Sequence, residues 1–105
     1  MKVIVNTEEI TNISADKRIS LYCPIGKDYY TADVTIMFYP DKYYMDYIEL
    51  DRFLNQLSGL SYTIEEAAKK IYDHLQTYLP LATKVTIKAY SNTHLPVTVT
   101  KGDML

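Results

Sequence analysis

The chain has 105 residues, 48% of them hydrophobic and 23% charged, which fits one small globular domain and excludes a disordered chain. Its formal net charge of -2 excludes a uniformly basic nucleic-acid binder, and its single cysteine, Cys23, excludes an intrachain disulfide framework and a cysteine-rich zinc site. No apolar run is long enough to span a bilayer and no secretory leader is recognisable, so the expected setting is a reducing cytoplasm in which Cys23 stays a free thiol.

Residues 1–16 read as an N-terminal extension of a single domain covering 1–105: a short apolar strand at 2–5, then a polar connection ending in Ser14-Ala15-Asp16. Residues 18–23 read as a strand with Ile19 and Leu21 on one face, and the following "PIGKDYYT" reads as a loop with Pro24 and Gly26 as breakers. Residues 32–39 alternate Val34, Ile36 and Phe38 against Asp33, Thr35 and Met37, which predicts a half-buried strand. "PDK" at 40–42 turns the chain.

Two helices follow. Tyr47, Leu50, Phe53, Leu54 and Leu57 recur at three- and four-residue spacing and make one apolar stripe, with Gly59 just past its end, where a left-handed conformation costs glycine least. Thr63 is placed to cap the second helix, with Glu66 completing a capping box. Its stripe is Ile64, Ala67, Ala68, Ile71, Leu75, Tyr78 and Leu79, and Pro80 stops it. Residues 84–90 and 96–100 alternate again and predict two closing strands joined by "SNTHL". The expected architecture is α+β: a four-stranded antiparallel sheet with two helices on one face. The uncovered face and the open sheet edges favour association into a ring. Eleven tyrosines against two phenylalanines and no tryptophan point the same way, because tyrosine suits interfaces and wet pocket walls.

Cys23 has two readings. A thiolate is the best soft nucleophile a protein has, and the residue before a proline is held extended, which sets this sulfur at a strand end facing a loop. A lone cysteine also serves as a small buried hydrophobe. Glu65 complements the helix dipole, and with Glu66 better placed for the cap its carboxylate is also free for another job. His74 and His94 lie far apart, with no third ligand at metal spacing, so no catalytic metal is expected.

The element order, with Cys23-Pro24-Ile25 at a strand end, Tyr39-Pro40 after the next strand and Glu65-Glu66 opening the second helix, resembles the tunnelling fold (ββααββ). Within that fold, the spacing from Cys23 to Pro40 and to Glu65 resembles the 7-cyano-7-deazaguanine reductases and their shortened archaeal relatives, the QueF-like amidinotransferases, over residues 18–100. The resemblance implies that Cys23 attacks the nitrile carbon of 7-cyano-7-deazaguanine to form a thioimide, and that Glu65 anchors the base. It further implies ammonia addition to the base in tRNA, giving archaeosine, with no cofactor and with assembly into a pentamer or decamer. The family places an aspartate seven residues after the cysteine. Tyr30 stands there, able to donate a hydrogen bond to substrate, and Asp28 or Asp33 is the expected proton carrier.

Two alternatives accompany this reading. An NADPH-dependent nitrile reductase is disfavoured by the acidic "DYIELD" at 46–51, by the missing Gly-rich phosphate loop and by Ile64 where reductases carry a histidine. A non-catalytic ring protein binding a purine or pterin is favoured by Tyr30 in place of the aspartate. The pairs Lys17-Arg18 and Lys69-Lys70 are the densest basic spots and could form an RNA-facing belt in a ring.

Overall fold

The computed structural model describes residues 2–78 and 83–102. Their elements are β1 (Val3–Val5), β2 (Ile13–Cys23), β3 (Asp28–Phe38), β4 (Tyr43–Met45), α1 (Tyr47–Leu57), α2 (Ile64–Tyr78), β5 (Thr83–Tyr90) and β6 (Val97–Lys101). β2, β3, β5 and β6 form one sheet in that spatial order, antiparallel throughout, and β1 pairs with β4 in a separate ribbon.

The period-2 pattern of β3 sets the layering. Ala32, Val34, Ile36 and Phe38 are fully buried, while Thr31, Asp33, Thr35 and Met37 lie on the opposite, partly open face. β5 repeats this with Val85, Ile87 and Ala89 inward. Both helices cover that one face. α1 inserts Leu50, Leu54 and Leu57 beside β2, and α2 lays Ala67, Ala68, Ile71 and Leu75 against β5 and β6. Burying each leucine or isoleucine stabilises the domain by roughly 1.5–3 kcal/mol. The two alanines let α2 sit close to the sheet.

The helix boundaries follow the caps. Asp46 accepts the Ile48 N–H at 3.0 Å to open α1, and Gly59 beyond its end takes φ +85°. The Glu66 carboxylate accepts the Thr63 N–H at 3.0 Å while the Thr63 hydroxyl accepts the Glu66 N–H at 3.2 Å, the reciprocal pair expected of a capping box. At the far end of β6, Gly102 has φ +97° and stands so close to the Thr83 carbonyl that a Cβ there would lie 2.2 Å from it.

Four sequence expectations need correction. β2 begins at Ile13 rather than 18, so Ser14-Ala15-Asp16 belong to the strand. Its inward position 17 holds a lysine, which hides the pattern, and the Lys17 ammonium escapes the core by pairing with Asp51 of α1 at 2.6 Å. β3 begins at Asp28 rather than 32, because the breakers Pro24 and Gly26 fall inside a tight turn closed by the Lys27 N–H on the Cys23 carbonyl at 2.8 Å. β4 was not anticipated, since three residues are too few to show a period. Tyr47 is half exposed and stacks on Tyr44 instead of entering the core. The Tyr78 side chain, Leu79 and Pro80 lie outside the described residues. Among those described, no helix is long and apolar enough to cross a membrane.

Candidate functional site

One end of the sheet collects the chemistry. β2 runs toward it and ends at Cys23, β3 starts from it at Asp28, and β5 returns to it, with Thr31 opposite Tyr90. The β2–β3 turn, the first turn of α2 and the β5–β6 loop therefore meet there, around a cavity of about 330 Å³. That volume lies at the small end of the range for small-molecule sites. Cys23, Asp28, Tyr30 and Glu65 all line it, joined by Thr63 and by Ser91, Thr93 and His94 of the loop.

Cys23 sits at an inward position of β2 where the core gives way to the cavity, and it is half-buried rather than sealed. The Gly26 N–H donates to its sulfur at 3.4 Å, a contact that strengthens when the sulfur carries negative charge.

Glu65 is exposed in the first turn of α2, where the helix dipole favours a carboxylate. Glu66 and Thr63 complete the cap between them, and among the described residues no hydrogen bond within the chain engages the Glu65 carboxylate. The backbone of the α1–α2 connection fixes this helix start. Its Leu60 carbonyl accepts the Tyr22 N–H at 3.0 Å, and its Tyr62 N–H donates to the Tyr22 carbonyl at 3.0 Å. The residue before Cys23 is thus bonded on both sides to the segment that leads into Glu65.

Tyr30 lines the cavity with its ring, while its hydroxyl donates to the Tyr62 carbonyl at 2.7 Å. Burial above all, and then the nearby Cys23, Glu65 and Glu66 side chains, push this phenol well above its usual pKa range, so it stays protonated. Asp28 is opposite Cys23 in the ladder, and one of its oxygens accepts the Tyr29 N–H at 2.8 Å.

The structure does not bring Asp33 to this cavity. Asp28 and Tyr30 share the inward face of β3, and Asp33 is an odd number of residues from both, so the pleat turns it to the other side. There it accepts a forked pair of bonds from Arg18 at 2.6 and 3.0 Å. The Arg18 guanidinium holds this carboxyl below the ordinary aspartate range.

Sequence reasoning weighed His94 only as a metal ligand. Its place in the cavity follows from the strand order, which puts the β5–β6 loop over the β2–β3 turn. An ideal Cβ on Gly26 would stand 3.8 Å from the Cys23 sulfur and 3.8 Å from the Thr93 hydroxyl, so the residue beside His94 lies no more than twice that distance from the sulfur. The His94 Nδ1 lies 2.6 Å from the Leu95 carbonyl oxygen. A carbonyl can only accept, so Nδ1 carries the proton and Nε2 of the neutral ring holds the free lone pair. Among the described residues, no lysine or arginine lines the cavity. The site suits a neutral ring with N–H donors better than a phosphate.

No model of a known protein family matches the sequence, and no curated protein matches it. Among the solved structures that match, the archaeosine synthase QueF-Like in its apo form superposes with a TM-score of 0.77 at 19% identity, covering 91% of this chain and 98% of that one. The chain has the fold of that protein: the four-stranded antiparallel sheet with two helices on one face is the tunnelling-fold architecture.

Proposed function

We propose that this protein is a QueF-like amidinotransferase that adds ammonia to the nitrile of 7-cyano-7-deazaguanine. The observation that carries the reading is that Cys23 and Glu65, distant in sequence, line one cavity sized for a small ring. In this reading the Cys23 thiolate attacks the nitrile carbon. A C–S bond forms, one π pair of the nitrile moves to nitrogen, and that nitrogen takes a proton to give a thioimide. Ammonia adds to the same carbon and gives up a proton. The C–S bond breaks, Cys23 leaves with its proton restored, and an amidine remains. Glu65 accepts the N–H groups of the purine-like edge and holds the nitrile over the sulfur. Of the two aspartates expected near the site, Asp28 lines the cavity wall and Asp33 pairs with Arg18 on the other face.

The likeness to an archaeosine synthase supports archaeosine as the product, and the reading extends to a base carried in tRNA and to a homo-pentamer or decamer in the cytoplasm. Lys17 and Arg18 are engaged by Asp51 and Asp33, and Lys69 by Asp73, so the two basic spots are largely neutralised within the chain. Affinity for tRNA should therefore fall only shallowly with salt. The absence of lysine and arginine among the described residues of the cavity wall disfavours the NADPH-dependent reductase. One observation favours a second reading, the non-catalytic purine or pterin binder: Tyr30 stands where the family has an aspartate, and its hydroxyl is committed to Tyr62.

Mass spectrometry of the protein mixed with the nitrile base separates these readings. The amidinotransferase requires a covalent adduct on the peptide containing Cys23, absent in Cys23→Ala, and protection of Cys23 from alkylation by the base. Tight binding of the base without adduct would leave the binder standing and remove the enzyme.

A further inference from the structure

We infer that His94 is the group that carries the proton between Cys23 and the nitrile nitrogen, an assignment that rests on the nitrile-addition reading. The position where an acid would be expected, Tyr30, is closed to this role: its hydroxyl donates to the Tyr62 carbonyl, and it is buried in the wall. Asp33 is on the far face. With Glu65 assigned to the base, two side chains able to take up and release a proton remain among the described residues of the cavity, Asp28 and His94.

Geometry prefers the histidine. The Leu95 carbonyl fixes Nδ1 as the protonated nitrogen at 2.6 Å, which orients the ring and leaves the Nε2 lone pair free to accept a proton. A third group that fixes the base is the arrangement found around activated nucleophiles. In Asp28, by contrast, one oxygen is occupied by the N–H of its own neighbour, Tyr29.

The proton balance is closed. Nε2 takes the proton of the Cys23 thiol as sulfur attacks carbon, and the same proton passes from the imidazolium to the nitrile nitrogen, leaving neutral His94 and the thioimide. Nδ1–H is retained throughout. No oxidant, reductant or metal is needed.

Among the described residues, the titratable groups that line the cavity with His94 are Cys23 at the end of β2, Asp28 and Tyr30 of β3, and Glu65 of α2. Tyr30 stays protonated through the neutral range, and Glu65 is assigned to the base. The rate of adduct formation on Cys23 is therefore to be followed by mass spectrometry against pH for wild type, His94→Gln and Asp28→Asn, with 7-deazaguanine lacking the nitrile as a binding probe. His94 is exposed on a loop, so its replacement should leave folding and probe affinity intact. The inference expects a bell-shaped wild-type profile. His94→Gln should lower the maximum by about 100-fold or more and leave a rate that simply follows thiol ionisation, and Asp28→Asn should keep the bell. Adduct formation in His94→Gln at the wild-type rate and profile overturns the assignment while the nitrile-addition reading stands. If Asp28→Asn alone loses the bell, the proton carrier is Asp28 and this inference is wrong. Absence of any wild-type adduct from pH 5 to 10, with the probe still bound, removes the nitrile-addition reading and this assignment with it.

Discussion

The Tyr30 hydroxyl and the Tyr62 carbonyl oxygen lie 2.7 Å apart, a hydrogen bond that ties the start of β3 to the segment leading into Glu65. The bond makes Tyr30 a positioning residue: it holds the carboxylate-bearing helix turn against the strand end that carries Cys23. Tyr30→Phe should keep the ring packing, lose about 1 kcal/mol of stability by denaturant unfolding and raise KM for the base more than it lowers kcat. Because burial raises the folded-state pKa of this phenol, its contribution to stability is complete below its unfolded value of 10.0 and is lost as pH rises above it. Tyr30→Phe should flatten the alkaline decline in stability. An unchanged alkaline limb would show that other tyrosines control it.

The adjacent glutamates at the start of α2 should separate cleanly. Glu66 is bound into the cap with Thr63, so Glu66→Ala should cost about 1 kcal/mol of stability and leave adduct formation on Cys23 nearly unchanged. Glu65 takes no part in the cap. Glu65→Gln should alter stability by no more than about 0.5 kcal/mol while abolishing base binding measured by calorimetry. The opposite pattern would move the base anchor away from Glu65.

These predictions rest on features that were unequally legible in the sequence. The alternation of Val34, Ile36 and Phe38, the paired alternation of Val85 and Ile87, and the Thr63–Glu66 box each carry their structural meaning within a few residues, and the structure has them as read. The outer halves of β2 and β3 did not read as strands because Lys17 and Asp28 occupy inward positions near sheet ends, where a long or marginal polar side chain reaches solvent or a partner. The face of Asp33 was decidable only once the start of β3 was known, since pleat parity needs an origin. His94 was invisible as a cavity residue for a deeper reason: nothing in a strand's periodicity tells which neighbours it takes. The pairing of β3 with β5 is what carries the "SNTHL" loop to Cys23.

Asp33 should prove irrelevant to chemistry and measurable in acid. Arg18 depresses its pKa, so the pair stabilises the fold above the unfolded aspartate value and the benefit is lost as pH falls through the folded one. Asp33→Asn should leave the adduct rate unchanged and reduce the acid sensitivity of stability at low ionic strength. Both partners are exposed, so salt should weaken the difference. A fall in adduct rate would return Asp33 to the site and contradict its placement.

His74 should make the domain sensitive to mild acid. Its ring stacks on Phe53 with centroids 3.7 Å apart and planes 2° from parallel, and burial, with Lys70 nearby, lowers its pKa from 6.5. A lowered histidine pKa means that the folded state prefers the neutral ring. Its stabilising effect is present above 6.5 and is lost as pH falls below that value. Thermal midpoints should drop between pH 7 and 5, and His74→Phe, which keeps an aromatic stack, should remove most of that drop. An equal drop in the variant would place the acid-sensitive group elsewhere.

Assembly is the prediction on which the uncovered surfaces bear most directly. β6 is one edge of the sheet, and β2, at the other, is covered only near its end. There the Gly59 N–H donates to the Ser20 carbonyl at 2.7 Å, and Leu60 and Tyr62 engage Tyr22. The first half of β2, from Ile13, is left to pair with another strand, and an unprotected edge of this kind invites a second copy. Joining β6 of one copy to this half of β2 in the next repeats head to tail, a heterologous contact that either closes into a ring or grows without limit. Sedimentation should give a pentamer or decamer of the 12.1 kDa chain, and Ser14→Pro should shift the distribution toward monomer: Tyr22, an even number of residues along the strand, turns its N–H and carbonyl to the outer edge, so the Ser14 N–H faces that edge too and its loss spares the ladder to β3. A wild-type monomer at micromolar concentration would show that these edges stay open and that each chain must work with the cavity it builds alone.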